Sequence, residues 1–168
     1  MIFVTVGTHE QQFNRLVEYV DKLKENGVIE EEVIIQTGFS TYEPKYCKWN
    51  KLYPYRDMFR LVEEARIVIT HGGPSSFTMP LQVRKIPIVV PRKKKYGEHV
   101  NDHQVDFSIA VEQRQGNIVL VKEIDELKNV LLNYDLIVSN MPKEMKSNNL
   151  KFNERLKEIV ELMFKGEK

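Results

Sequence analysis

The sequence has a single cysteine, no long apolar run and almost no net charge, and each shortage excludes something. With Cys47 alone among 168 residues, no intrachain disulfide can form. A lone thiol fits a reducing compartment, and nothing beside Cys47 supports its use as a nucleophile. No apolar stretch approaches the length of a membrane-spanning helix. The opening run Met1-Ile-Phe-Val-Thr-Val6 is short, lacks a basic region before it and stops at Gly7, so it reads as a strand and not as a signal peptide. Lys and Arg number 25 against 24 Asp and Glu, a formal net charge of +1. That balance gives no overall pull toward nucleic acid or an anionic membrane, so any basic site is local and nucleic acid is not an expected partner. Two phosphate-binding signatures are missing as well. No Gly-Lys-Ser/Thr follows Gly72-Gly73, and there is no G-x-G-x-x-G.

What is present is an alternation of short apolar runs and longer helical patterns. The runs are Ile2–Val6, Val33–Gln36, Arg66–Thr70, Pro87–Val90 and Asn117–Val121, with Lys48–Tyr53 a weaker sixth. Ile67-Val68-Ile69 and Ile88-Val89-Val90 are apolar on both faces, the pattern of strands covered by helices on both sides. Between the runs, Phe13, Leu16, Val17, Val20 and Leu23 repeat at helical steps. Thr8 and Gln11 have capping-box spacing for that helix, and Gly27 follows its end. Met58, Leu61 and Val62 mark a second helix. Leu127, Val130 and Leu131 mark another, and Leu156, Ile159, Val160 and Met163 stripe a last one. Strands alternating with helices predict an α/β, Rossmann-like, doubly wound parallel sheet of about six strands. An apolar content of 42% suits one sizeable core, so residues 1–168 read as a single domain. Within it, 134–168 form a connector and a C-terminal helix.

In such sheets ligands bind beyond the carboxyl ends of the strands. There lies His71-Gly72-Gly73-Pro74-Ser75-Ser76. Two glycines let main chain approach a ligand. Ser75 or Ser76 can cap the following helix, whose free N–H groups and positive dipole end suit a diphosphate. With Ser76 as the cap, Pro80 falls within or just after the first turn. A tight turn without a ligand explains the same residues. Gly7-Thr8-His9 ends the first strand. The helix dipole there disfavours a charged His9, which makes it the one candidate for a catalytic base. The densest segment runs from Arg92 to Gln104. Its cations Arg92, Lys93, Lys94 and Lys95 can neutralise a diphosphate or simply face solvent. Asn101, Asp102 and Gln104 can hydrogen-bond sugar hydroxyls. His99 and His103 are spaced for one helix face, but Val100 sits where a zinc protease carries Glu and no third ligand follows, so no metal is expected. Phe13, Trp49, Tyr53 and Tyr55 read as packing residues.

Four landmarks in order, Phe3-Val-Thr-Val-Gly-Thr8 with Phe13, Thr70-His-Gly-Gly73, Ile86-Pro-Ile-Val-Val-Pro91 and Glu98-His-Val-Asn-Asp-His-Gln104, carry a resemblance over nearly the whole chain. The chain resembles the C-terminal, donor-binding domain of family 28 glycosyltransferases, one half of a GT-B fold. It is most similar to the short stand-alone members. These are the soluble subunit of the two-chain GlcNAc transferase that builds dolichol-pyrophosphate chitobiose, and the exopolysaccharide and capsule subunits described as β-1,4-galactosyltransferase enhancers. The run from Pro91 to His99 points to the exopolysaccharide branch.

The resemblance implies an inverting transfer from a UDP-sugar, with galactose the hexose that the exopolysaccharide branch suggests, and with no cofactor and no obligatory metal. It places the UDP diphosphate at Gly7, Thr8, His71, Gly72, Gly73, Pro74, Ser75 and Ser76. It places sugar and nucleotide at Arg92, Tyr96, His99, Asn101, Asp102, His103 and Gln104. It further implies a membrane-anchored partner subunit that supplies the lipid-linked saccharide acceptor, and a cytoplasmic chain held at the inner face of the cell membrane through that partner. One departure stands out. Many relatives carry an acidic residue eight positions after the one matching His71, where it grips the ribose; here that position is Met79, whose thioether is a weak acceptor. A second reading follows, in which the chain is a non-catalytic enhancer of its partner.

Overall fold

Runs that are apolar on both faces become the middle of a sheet. In the computed structural model, which describes residues 1–141 and 149–164, the strands are β1 (Ile2–Thr5), β2 (Val33–Gln36), β3 (Lys48–Asn50), β4 (Ile67–His71), β5 (Ile88–Val90) and β6 (Val119–Leu120). They form one six-stranded sheet in the order β3-β2-β1-β4-β5-β6, and every neighbouring pair is parallel. This is the Rossmann-like order, whose direction of growth reverses between β1 and β4. Strands β1, β4 and β5 are buried along their full length. The weak Lys48–Tyr53 pattern gives an edge strand of three exposed residues.

The helices are α1 (Asn14–Glu25), α2 (Tyr55–Glu64), α3 (Pro74–Gln82), α4 (His103–Gln115), α5 (Glu126–Leu132), α6 (Tyr134–Ser139) and α7 (Asn149–Phe164). Alternate strand residues serve opposite layers. Val4, Ile69 and Val90 meet Leu16, Val17 and Val20 of α1 and Leu127 of α5. Phe3 and Val68 meet Leu61 and Val62 of α2, while Val89 meets Phe77 of α3 and Val111 of α4. Each large side chain so buried contributes roughly 1.5–3 kcal/mol of transfer free energy.

Several local expectations need correction. Helix α1 starts at Asn14 with Phe13 as its N-cap residue and no side-chain cap, so Thr8 and Gln11 form no capping box. The cause is Arg92, whose guanidinium takes the carbonyls of Gln11 and Gln12, leaving 8–12 as a loop. The other end is as expected. Gly27, at φ +69°, donates to Lys24 O, and Val28 N–H reaches Leu23 O, closing a Schellman motif. The segment after Asn133 is not a bare connector, because α6 packs down through Tyr134, whose hydroxyl donates to Ile86 O at 2.6 Å. Residues 142–148 of that connector lie outside the described residues. Helix α7 leaves Phe152, Leu156, Ile159, Val160 and Met163 exposed, so its stripe does not close this domain's core. No helix among the described residues is long and apolar enough to cross a membrane.

Asp21 is the buried acid of α1. Its carboxylate accepts hydrogen bonds from Tyr42 Oη and from the N–H groups of Lys45, Tyr46 and Cys47, all within 3.0 Å. Burial pushes this carboxyl up, but the donors together outweigh burial and hold it below its ordinary value. Burial, with Asp21 beside it, pushes the Cys47 thiol up to about 12, which keeps it protonated. A carboxyl depressed on folding stabilises above its unfolded-state value and loses that contribution as pH falls through the folded one. Asp21→Asn is therefore expected to cost about 2 kcal/mol at neutral pH and to flatten the acid limb of stability, both read from urea titrations across pH.

Candidate functional site

The reversal point of the sheet puts the ends of β1 and β4 side by side, and a cleft of about 520 Å³ opens there. Gly7, Thr8, His9, His71, Ser75 and Ser76 line its head, and Tyr55, Met58, Met79 and Gln82 line the other end. The structure thus brings together the two loops that the sequence separates by more than sixty positions.

His71 organises the head. Its ring is 8% exposed and lies between two glycines. A Cβ on Gly7 would fall 2.4 Å from Nε2, and one on Gly73 would fall 2.3 Å from Cε1. Gly7 also sits at φ +75°, which favours glycine. Gly72 is confined from the other side, where a Cβ would meet Ser108 Oγ at 2.8 Å and Gln104 O at 3.0 Å on α4. The expectation that Gly72 and Gly73 leave room for a ligand is corrected: they leave room for His71 and α4.

The ring has a defined tautomer. Nδ1 accepts Gly73 N–H at 3.0 Å, so the proton of the neutral ring resides on Nε2, as assigned from the hydrogen-bond network. Nε2 lies 2.6 Å from Ser76 Oγ and donates to it. The Ser76 hydroxyl proton is then free to point elsewhere, which makes Ser76 a donor toward the cleft. Burial, then the Arg92 cation, pull His71 down to about 4, with Gln104 opposing and His9 and His99 adding to the pull. The ring is neutral at physiological pH.

Helix α3 begins two or three residues earlier than expected. Its N-cap is Gly73 and Pro74 is the first helical residue, a position where a missing N–H costs nothing. Ser75 and Ser76 lie in the first turn and neither caps. Pro80 consequently falls in the second turn, inside the helix, which stops two residues later. N–H groups at this end begin with Ser75, and the positive end of the helix dipole adds to the attraction for an anion.

The Arg92–Gln104 segment behaves differently from expectation. Arg92 is fully buried and donates to the carbonyls of Val6, Gln11, Gln12 and Glu98. Burial draws it down to about 10, still a cation at neutral pH. Gln104 is buried too, and its Oε1 accepts Arg92 N–H at 3.2 Å. Both are corrected from ligand-facing to supporting positions, because Nη1 and Nη2 of Arg92 and Oε1 of Gln104 are engaged inside the protein. Lys93 pairs with Glu123 at 2.6 Å. Tyr96, Asn101, Asp102 and His103 are exposed and His99 is half-buried, and none of the five lines the cleft. Asp102 accepts Lys94 N–H at 2.8 Å, Asn101 Oδ1 accepts His103 N–H at 3.2 Å, and His103 stacks on Phe107. His103 opens α4 while His99 precedes it, so the two do not share a helix face. Among the described residues no group of three or more His, Cys, Asp or Glu is placed to hold a metal ion.

Sequence reasoning missed the far end of the cleft. Tyr55 is 70% exposed and lines the cleft, where the sequence suggested packing. Met58 and Met79 line it while also packing against the Phe3–Val68 cluster. The helical spacing of Met58 signals core and hides the second role, whereas Met79 stands at the position where the resemblance put a ribose contact. Gln36 is present but engaged, donating to Thr5 Oγ1 and accepting Tyr53 N–H.

The sandwich around His71 gives a direct check. Gly73→Ala is expected to displace the ring and cost about 1–3 kcal/mol by overpacking. In a His71→Ala background the same substitution should be nearly neutral, because the clashing ring is gone. Thermal unfolding of the two single variants and the double variant measures the difference.

A model of the glycosyltransferase family 28 C-terminal domain matches residues 1–163. No curated protein matches the chain. Among solved structures, the glycosyltransferase SnogD from Streptomyces nogalater is similar at 17% identity and a TM-score of 0.42, over 84% of this chain and 39% of that one. The chain therefore spans about two fifths of that protein, and so distant a likeness carries no functional argument. The family match covers nearly every residue and includes both loops of the cleft, so the chain belongs to the glycosyltransferase family 28 C-terminal domain family.

Proposed function

We propose that this chain is the donor-binding half of a two-chain, GT-B type glycosyltransferase. It moves a hexose, with galactose the first candidate, from a UDP-sugar to a lipid-diphosphate-linked acceptor in exopolysaccharide or capsule synthesis. The observation that carries the reading is the head of the cleft. There the first turn of α3, the committed Ser76 donor and a neutral His71 converge at the reversal point of the sheet. Donors fixed before the ligand arrives stabilise the charge that develops on a departing UDP without reorganising. The reaction is inverting, by direct displacement at the anomeric carbon, and needs no metal. His9 lines the cleft and is this chain's own candidate base; otherwise the partner supplies one. That partner is a membrane-anchored subunit carrying the acceptor site, which keeps this chain at the cytoplasmic face of the membrane. The exposed stripe of α7 supplies apolar surface for such a contact.

A second reading is favoured by Met79. Its side chain lines the cleft where a ribose-binding carboxylate is expected and is half engaged in the Phe3–Val68 cluster. On that reading the chain is a non-catalytic enhancer that stabilises its partner.

Calorimetry of UDP-galactose against the complex with the membrane-anchored partner separates the two. Saturable binding, weakened at least tenfold by Ser75→Ala with Ser76→Ala, is the expected result, since about 1.4 kcal/mol of lost charge-assisted hydrogen bonding gives a factor of ten. Absence of binding, or partner-dependent transfer that survives the double substitution, selects the enhancer.

A further inference from the structure

Two imidazoles from different loops meet beside the head of the cleft, His9 in its lining and His99 against His9. His9 follows β1 and lines the cleft. His99 follows the 3-10 turn Lys94–Tyr96. Both are half-buried, and their rings stand edge to face with centroids 4.8 Å apart and planes at 86°. One buried side chain sets this meeting. Arg92 donates to Gln11 and Gln12 on the first loop and to Glu98, the residue before His99, on the second. Asn101 N–H points at His99 Nδ1 at 3.4 Å, which leaves the proton of a neutral His99 on Nε2, as a donor.

The charges facing His9 are mostly of one sign. His99 and Arg92 act on it from the loop after β5, and Glu10 from its own loop opposes them. His71 on β4 is neutral and close enough to feel His9. The carboxylate of Glu98 faces away, engaged by Arg15 and by Lys93 N–H. In the free protein, burial first and then His99 and Arg92 hold His9 below the ordinary imidazole value.

We propose that His9 and His99 form a proton-coupled clamp for the anionic group bound at the head of the cleft, with His9 binding it as an imidazolium whose proton is taken up from solvent as the ligand enters. The proposal rests on the donor-site reading and adds to it a pair of ligand-binding residues and a pH dependence; a His9 held as an imidazolium is no base, so here the base comes from the partner. An anion reverses the sign of the field at His9, so the charged ring that the empty site disfavours becomes favoured. His99, edge to face with His9, is among the groups that hold His9 low in the empty site, and its Nε2–H is the donor that it would offer to a ligand reaching both rings. His71 is not the proton acceptor, because its Nδ1 already holds Gly73 N–H. Affinity is then highest below the free-state midpoint of His9 and falls as pH rises through the bound-state midpoint. A rise of about one unit between the two makes a tenfold difference in affinity.

The test is an NMR pH titration of the imidazole C–H resonances, in the free chain and with saturating UDP-galactose or inorganic pyrophosphate. With four histidines, single substitutions assign every resonance. The expected result is a His9 midpoint that starts low and rises by about one unit with either anion. Calorimetry of UDP-galactose, whose diphosphate diester does not titrate near neutrality, in buffers of different ionisation heat should read net proton uptake. His9→Asn should abolish that uptake. His99→Asn should raise the free His9 midpoint and shrink the uptake, whereas a purely structural His99 would weaken binding equally at every pH. If UDP-galactose shifts the Ser75 and Ser76 amide resonances while the His9 midpoint stays put, the clamp is overturned and the donor site stands. If UDP-galactose changes nothing but pyrophosphate raises His9, the donor reading falls and the clamp survives as an anion site. Silence to both probes overturns the clamp.

Discussion

The guanidinium of Arg92 lies fully buried, 4.8 Å from the Phe13 ring centroid, and the ligand end of the fold is arranged around it. A buried cation is costly unless its donors are satisfied. Here Nη1 and Nη2 reach carbonyls at the end of β1, in the loop before α1 and in the loop after β5. The first two are close in sequence, but the loop after β5 lies more than eighty residues on, and no ladder joins it to them at these positions. Without Arg92 each would leave main-chain oxygens buried and unpaired. Glu98 completes the arrangement by binding Arg15 and Lys93 N–H through its carboxylate while giving Arg92 its carbonyl.

This cation stands behind the site and not in it, and the site has a particular electrostatic character as a result. The groups that face the cleft at its head are neutral or polar: the His71 ring, the Ser76 hydroxyl and the start of α3. Burial is the first cause that holds both His71 and His9 below the ordinary imidazole value, and the Arg92 cation behind the site adds to it. Holding His71 neutral keeps Gly73 N–H paired with Nδ1 and Ser76 fixed by Nε2–H. Protonating the ring would break the first bond, so the shape of the loop depends on the burial, and behind it the Arg92 charge, that keep the ring neutral.

Much of the architecture was legible from the chain. The apolar runs around Val4, Ile69 and Val89 show which strands are central, and their alternation with helical stripes shows that the sheet is parallel. Caps were less legible, for a physical reason. Thr8 with Gln11 satisfies every local rule for a helix start, but a side chain more than eighty residues away takes the carbonyls the first turn would need. The glycine loop was found for a reason that is only partly right. Gly7, Gly72 and Gly73 look like open main chain, yet their missing Cβ atoms are replaced by His71, Ser108 and Gln104. The Arg92–Gln104 run carries the residue types that bind sugars, and sequence cannot tell which of them turn inward. Met58 and Tyr55 were passed over because a helical apolar stripe and a lone aromatic read as packing, whereas Met79 was noticed only as a missing carboxylate.

Met79 bears on how the two ends of the cleft divide the work. On the donor-half reading, a ribose-gripping carboxylate would tie affinity to the nucleoside. A thioether against the Phe3–Val68 cluster offers contact area without a strong acceptor. Recognition then shifts toward the diphosphate at the other end, where hydrogen bonds to a charged group are stronger than those to hydroxyls. The same shift makes binding more sensitive to the charge state of nearby imidazoles, because fewer other contacts hold the ligand. A site of that kind has little affinity to spare in one half alone, and an acceptor-side partner that closes over the cleft would exclude water and strengthen every electrostatic contact within it.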